Sequence, residues 1–131
     1  MKYFKFAKLV RDKILPHMES NNQIARGARK LSDSEFVQEL IKKVLEESNE
    51  MINVSDKNEL KKELADVYEV LDYLKDVLDL TDEELEDLKK QKRDKNGGFS
   101  DRIYIEDVGV EEDNKWYQYY LDNPQKYPEV K

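Results

Sequence analysis

Two apolar periodicities separated by a four-residue break constrain most strongly what this chain can fold into. After Ser32, apolar residues recur at Phe36, Val37, Leu40, Ile41, Val44, Leu45, Met51 and Ile52. At about 100° per residue they fill one wide helix face. A turn at Asn53–Asp56 follows, and a second stripe runs through Leu60, Leu64, Val67, Leu71, Leu74 and Leu78 with the regularity of a core pattern. Two long amphipathic helices joined by a short turn predict an antiparallel αα-hairpin and an all-α fold.

Local signals agree with that frame. Ser32-x-x-Glu35 is a capping box, which satisfies orphan backbone donors at a helix start. Ser55 or Asp56 is placed to cap the second helix, which runs to about Asp79. Thr81-x-x-Glu84 opens a third helix through Leu85 and Leu88, and Gly97-Gly98 ends it. Pro16 breaks or starts a short helix, and residues 20–30 read as a loop. Ile103–Ile105 reads as a short strand or an extended arm, and Asn114–Leu121 as a short aromatic helix.

Acids interrupt the apolar pattern. Glu47 falls inside the arc of the first helix, between Val44 and Met51, with Glu50 at its edge and Glu46 further out. Lys43 sits one turn earlier on that same edge. On the second helix one line reads Glu63, Asp66, Val70, Tyr73, Val77, acidic in its first half and apolar in its second. Both acid pairs have i, i+3 spacing, which puts two carboxylates on one face. Adjacent carboxylates beside apolar surface repel and raise each other's pKa, a penalty that a divalent cation removes. Four hard oxygen donors suit magnesium, with manganese as the alternative, and magnesium points to phosphate chemistry.

Other metal classes lack their ligands. A di-iron bundle needs Glu-x-x-His on two helices, and this chain has one histidine, His17, which reads as a surface or packing residue. Zinc hydrolase motifs fail for the same reason. An EF-hand loop from Asp94 would place Phe99 where glycine is required. The chain has no cysteine, so it has no disulfide framework, and no Walker-type glycine loop.

Charge is unevenly spread. The net charge is −7, yet residues 1–31 carry eight Lys/Arg against two acids. An acidic body argues against a stable nucleic-acid partner held by the whole surface. Basic segments near an acidic site would instead suit a small polyanion such as a triphosphate. With 38% hydrophobic and 40% charged residues the core is thin, so a homodimer or homotetramer is expected to complete the antiparallel bundle. No apolar run reaches membrane-spanning length and no signal-peptide core follows the N-terminus, so a cytoplasmic location is expected. Residues 1–131 read as one domain, with a core over about 8–105 and an aromatic tail over 106–131.

The string Lys43-Val44-Leu45-Glu46-Glu47-Ser48-Asn49-Glu50, followed by Glu63-Leu64-Ala65-Asp66-Val67-Tyr68-Glu69-Val70-Leu71, resembles the all-α nucleoside triphosphate pyrophosphohydrolases. The likeness is greatest to their MazG-like, phosphoribosyl-ATP-pyrophosphohydrolase-like branch. The signature there is Glu-Glu-x-x-Glu, a spacer, then Glu-x-x-Asp. The segment Lys8–Ile14 and the run Lys95-Asn96-Gly97-Gly98-Phe99 are similar to segments of that branch.

The resemblance implies a soluble house-cleaning hydrolase that splits a nucleoside triphosphate, non-canonical or deoxy, between its α and β phosphorus atoms. It implies that Glu47, Glu50, Glu63 and Asp66 would hold magnesium, with Glu46 orienting the site or assisting a water. One carboxylate would be the general base. Lys8, Arg11 and Lys13, and from the third helix Lys92, Arg93 and Lys95, are the candidate phosphate contacts. Gly97 and Gly98 either admit backbone to the ligand or only end the helix. Tyr68 and Tyr73 are expected in the core rather than stacked on a base. Phosphoribosyl-ATP hydrolysis, and a non-catalytic helical module that binds metal or nucleotide, stay open as alternatives.

Overall fold

A computed structural model describes all 131 residues. It contains five helices and no strand: α1 (Ile14–Ser20), α2 (Asp33–Ile52), α3 (Lys57–Val77), α4 (Asp82–Asn96) and α5 (Tyr117–Asp122). The chain divides into two compact units, Met1–Lys89 and Lys90–Lys131.

Each long helix of the first unit starts where its sequence signal stands. Ser32 Oγ accepts from the Glu35 backbone N–H at 3.3 Å, and Glu35 Oε1 accepts from the Ser32 N–H at 3.5 Å. Asp56, rather than Ser55, caps α3, accepting from the Glu59 N–H at 2.9 Å. Thr81 Oγ1 and Glu84 Oε2 each accept the other's backbone N–H at 3.1 Å, which opens α4. In the second unit Gly97 ends α4 at φ +80, a left-handed conformation that costs glycine little. Residues 103–105 are exposed and form no strand.

Within the first unit α2 and α3 pack against each other as the expected hairpin. Leu40, 2% exposed, and Val70, 9% exposed, are its buried apolar side chains. Phe36, Val37, Val44, Met51, Val67, Leu71, Leu74 and Val77 are half-buried around them.

One expectation about α3 is corrected. The stripe read as core leaves Leu60, Leu64 and Leu78 exposed, whereas the line carrying Glu63 and Val70 turns inward. At 100° per residue the two lines are about 80–100° apart, so α3 buries Val70 on one and only half-buries Val67, Leu71 and Leu74 on the other, leaving Leu60, Leu64 and Leu78 open. On α2, Ile41, Leu45 and Ile52 are likewise exposed and fall within an arc of about 40°. In two antiparallel right-handed helices, the rotation from the packed line to the open stripe is of the same sense in each. Both open stripes therefore lie on one side of the hairpin, and Glu46, Glu50 and Asp66 on the other. Tyr68 and Tyr73, expected in the core, are 61% and 49% exposed.

In the second unit the tail folds on itself. Trp116 meets Tyr119 edge-on at 5.8 Å between centroids, and Tyr120 meets Tyr127 at 5.0 Å. The Asn114 Oδ1 accepts from the Trp116 N–H at 2.9 Å and sets the turn into α5.

Candidate functional site

The helical phase that buries Val70 also carries Glu63 inward, two turns earlier on α3, to face the inward Glu47 of α2. Carboxylate oxygens of Glu47, Glu50 and Glu63 lie within 4.8 Å of one another. Glu47 is only 9% exposed, buried like Leu40 and Val70. Glu63 is half-buried, and its Oε2 is out of solvent with no hydrogen-bond partner. Glu50 is exposed at the rim.

Crowding shows in the electrostatics. Burial, then the Glu50 carboxylate, pushes Glu47 above the ordinary carboxylate value of 4.5; Asp66 adds to this and Lys43 opposes it. Glu63 is raised as well, first by burial, then by Glu50, Asp66 and Glu59. Burial also works against ionised Glu46, but Lys43 and Lys8 outweigh it and hold that carboxyl below the usual range.

Cations close the acidic side of the hairpin. Arg11 Nη2 donates to Asp66 Oδ1 at 2.9 Å, and Lys8 Nζ donates to Glu46 Oε1 at 3.4 Å. Lys43 Nζ reaches both Glu46 oxygens at 3.3 Å and stands 3.7 Å from Glu47 Oε1. The N-terminal segment thus crosses the acid cluster and is held there by charge. Asp66 stands outside the tight carboxylate trio and is engaged by Arg11. Lys13 occupies the N-cap position of α1, with no side-chain cap bond. Lys92, Arg93 and Lys95 are exposed on the last turns of α4, in the second unit. His17 is exposed, its ring 3.3 Å from the Asn21 amide.

Lys43 was absent from the predicted set of site residues. Its signal is its spacing, three and four residues before Glu46 and Glu47, which is ion-pair spacing on a helix. The donor set fits a hard divalent cation. It consists wholly of carboxylate oxygens, two of the acids have raised pKa values, and one buried oxygen lacks a partner.

No protein-family model, no curated protein and no solved structure matches the chain.

Proposed function

We propose that the chain is a MazG-like, magnesium-dependent nucleotide pyrophosphohydrolase, which converts a nucleoside triphosphate to the monophosphate and pyrophosphate. The observation that carries this is the gathering of Glu47, Glu50 and Glu63 around an unpartnered buried Glu63 oxygen, beneath a segment bearing Lys8 and Arg11. Glu47, Glu50 and Glu63 would hold magnesium, with Asp66 joining as Arg11 turns to the substrate. Bound there, magnesium would neutralise phosphate charge and acidify a water.

The chain's own groups do the rest. Arg11 is built to grip a phosphate with two N–H bonds, and Lys8 serves as a point charge. One of the carboxylates would take the proton as a water oxygen attacks the α-phosphorus and the α–β bridging bond breaks. Lys43 keeps Glu46 ionised, so Glu46 serves as a fixed acceptor that orients the nearby cations.

The test is pyrophosphate release from a panel of nucleoside triphosphates with and without magnesium, for wild type and Glu63→Gln. Turnover that needs magnesium and falls at least a hundredfold in the variant is expected. Absence of turnover on every nucleotide, with magnesium still raising the melting temperature, would establish the non-catalytic metal-binding module instead.

Two copies are proposed to pair through the open stripes of Ile41, Leu45 and Ile52 with Leu60, Leu64 and Leu78. The small buried core supports this, since six large apolar side chains on one side of a hairpin remain in water.

A further inference from the structure

A second feature of the first unit adjoins the carboxylates through Lys8 but is formed by other residues. The N-terminal segment and the loop before α2 enclose a groove of about 1360 Å³, whose lining includes residues 1–10 and 22–31. Small-molecule sites occupy roughly 300–1,000 Å³, so the space exceeds one small ligand. Seven basic side chains line it against two acidic ones. Glu35 is bonded to Arg29 at 3.0 Å and Glu39 to Lys42 at 3.0 Å, while Lys8 is turned to Glu46. Lys2, Lys5, Arg26 and Lys30 are left with no carboxylate partner, an excess of four positive charges along one cleft.

Aromatic rings alternate with these cations. The Arg26 guanidinium lies 3.6 Å from the centroid of Tyr3, and Lys8 Nζ is 4.8 Å from that of Phe6. Phe4 is 86% exposed, and Tyr3 and Phe6 are half-exposed. Such rings in water are costly to leave uncovered, and adjacent cations call for an anion.

We propose that this groove binds a short stretch of single-stranded nucleic acid, with phosphates on the lysines and bases stacked on Tyr3, Phe4 and Phe6. Stacking surfaces interleaved with cations match unpaired bases on a phosphate chain. A duplex hides its base faces from these rings, and an acidic peptide would use the cations alone. A membrane surface suits a convex patch, whereas these cations line a concavity. The acidic remainder of the chain confines binding to this groove rather than spreading it over the surface.

The experiment is fluorescence anisotropy of a fluorescein-labelled twelve-nucleotide oligouridylate with the full chain, in EDTA, so that hydrolysis plays no part. Saturable binding at low salt is expected. With four phosphate contacts, affinity should fall about fiftyfold between 50 and 200 mM salt. Lys2→Glu with Lys30→Glu should weaken binding at least tenfold, and Phe4→Ala about tenfold. Circular dichroism of each variant checks the helices, and Phe4 is exposed enough to be replaced without disturbing them. Three results overturn the proposal: no saturable binding at 50 mM salt; binding unaffected by Phe4→Ala and Tyr3→Ala and displaced as well by tripolyphosphate; or binding only to phosphatidylserine vesicles.

Discussion

Arg11 Nη2 lies 2.9 Å from Asp66 Oδ1, and this one contact fastens the N-terminal segment to the acidic half of α3. The pair is 61% and 42% exposed, so water screens it and its contribution to stability is at most about 1 kcal/mol. Arg11→Ala should therefore lower the free energy of unfolding by less than about 1 kcal/mol in a urea titration. Pyrophosphate release should fall about tenfold or more, the loss of one charge-assisted phosphate contact. A large stability loss with unchanged turnover would make Arg11 a strut rather than a substrate ligand.

The acid trio gives the fold a distinctive pH response. Glu47 and Glu63 are raised above 4.5 by burial and by Glu50. A raised carboxyl binds more protons folded than unfolded, so its contribution to stability falls as pH rises through the window just above 4.5. Glu63→Gln removes one such charge. Without metal, the variant should melt higher than wild type at pH 7, and the difference should shrink as pH approaches 4.5. Added magnesium should stabilise wild type more than the variant. A Glu63→Gln protein that melts lower at pH 7 in EDTA would overturn this account of the cluster.

Leu40 concentrates much of the hairpin's apolar burial at one position, being 2% exposed. Leu40→Ala should cost about 2–5 kcal/mol, from lost transfer energy and the cavity left behind. Ser32→Ala removes the side-chain acceptor for the Glu35 N–H and should cost about 1 kcal/mol. Denaturant titrations of the two variants check the ratio, and Ser32→Ala costing as much as Leu40→Ala would contradict it.

Much of this was legible in the sequence for identifiable reasons. Capping at Ser32, Asp56 and Thr81 is local chemistry, so the helix starts could be read from three or four residues. The inward position of Glu47 followed from its place within the α2 arc. On α3 the periodicity offered two lines, one fully apolar and one headed by Glu63 and Asp66, and hydrophobicity pointed to the first. Val70 and Glu63 of the second turn inward while the first is only partly covered, because contact between α2 and α3 is a tertiary choice that a single-helix pattern does not encode. The pairing of Lys8 and Arg11 with Glu46 and Asp66 spans 38 and 55 residues, beyond any local signal. Lys43 was within reach, since its i, i+3 and i, i+4 relation to Glu46 and Glu47 is a sequence fact.

The exposed stripes give the last prediction. Leu45 and Leu64 project from the side of the hairpin opposite Glu50 and Asp66, at 63% and 43% exposure. If a second copy covers them, Leu45→Asp and Leu64→Asp place a charge in an apolar interface, which a buried ion without a partner cannot tolerate. Light scattering should show wild type as a dimer or tetramer at micromolar concentration and the double variant as a monomer. The melting temperature of wild type should rise with protein concentration, and that of the variant should not. The acid cluster lies on the other side, so magnesium binding by the variant should persist wherever the hairpin still folds. A monodisperse wild-type monomer at micromolar concentration would remove the paired-hairpin arrangement and leave the six apolar side chains of the two stripes to another partner.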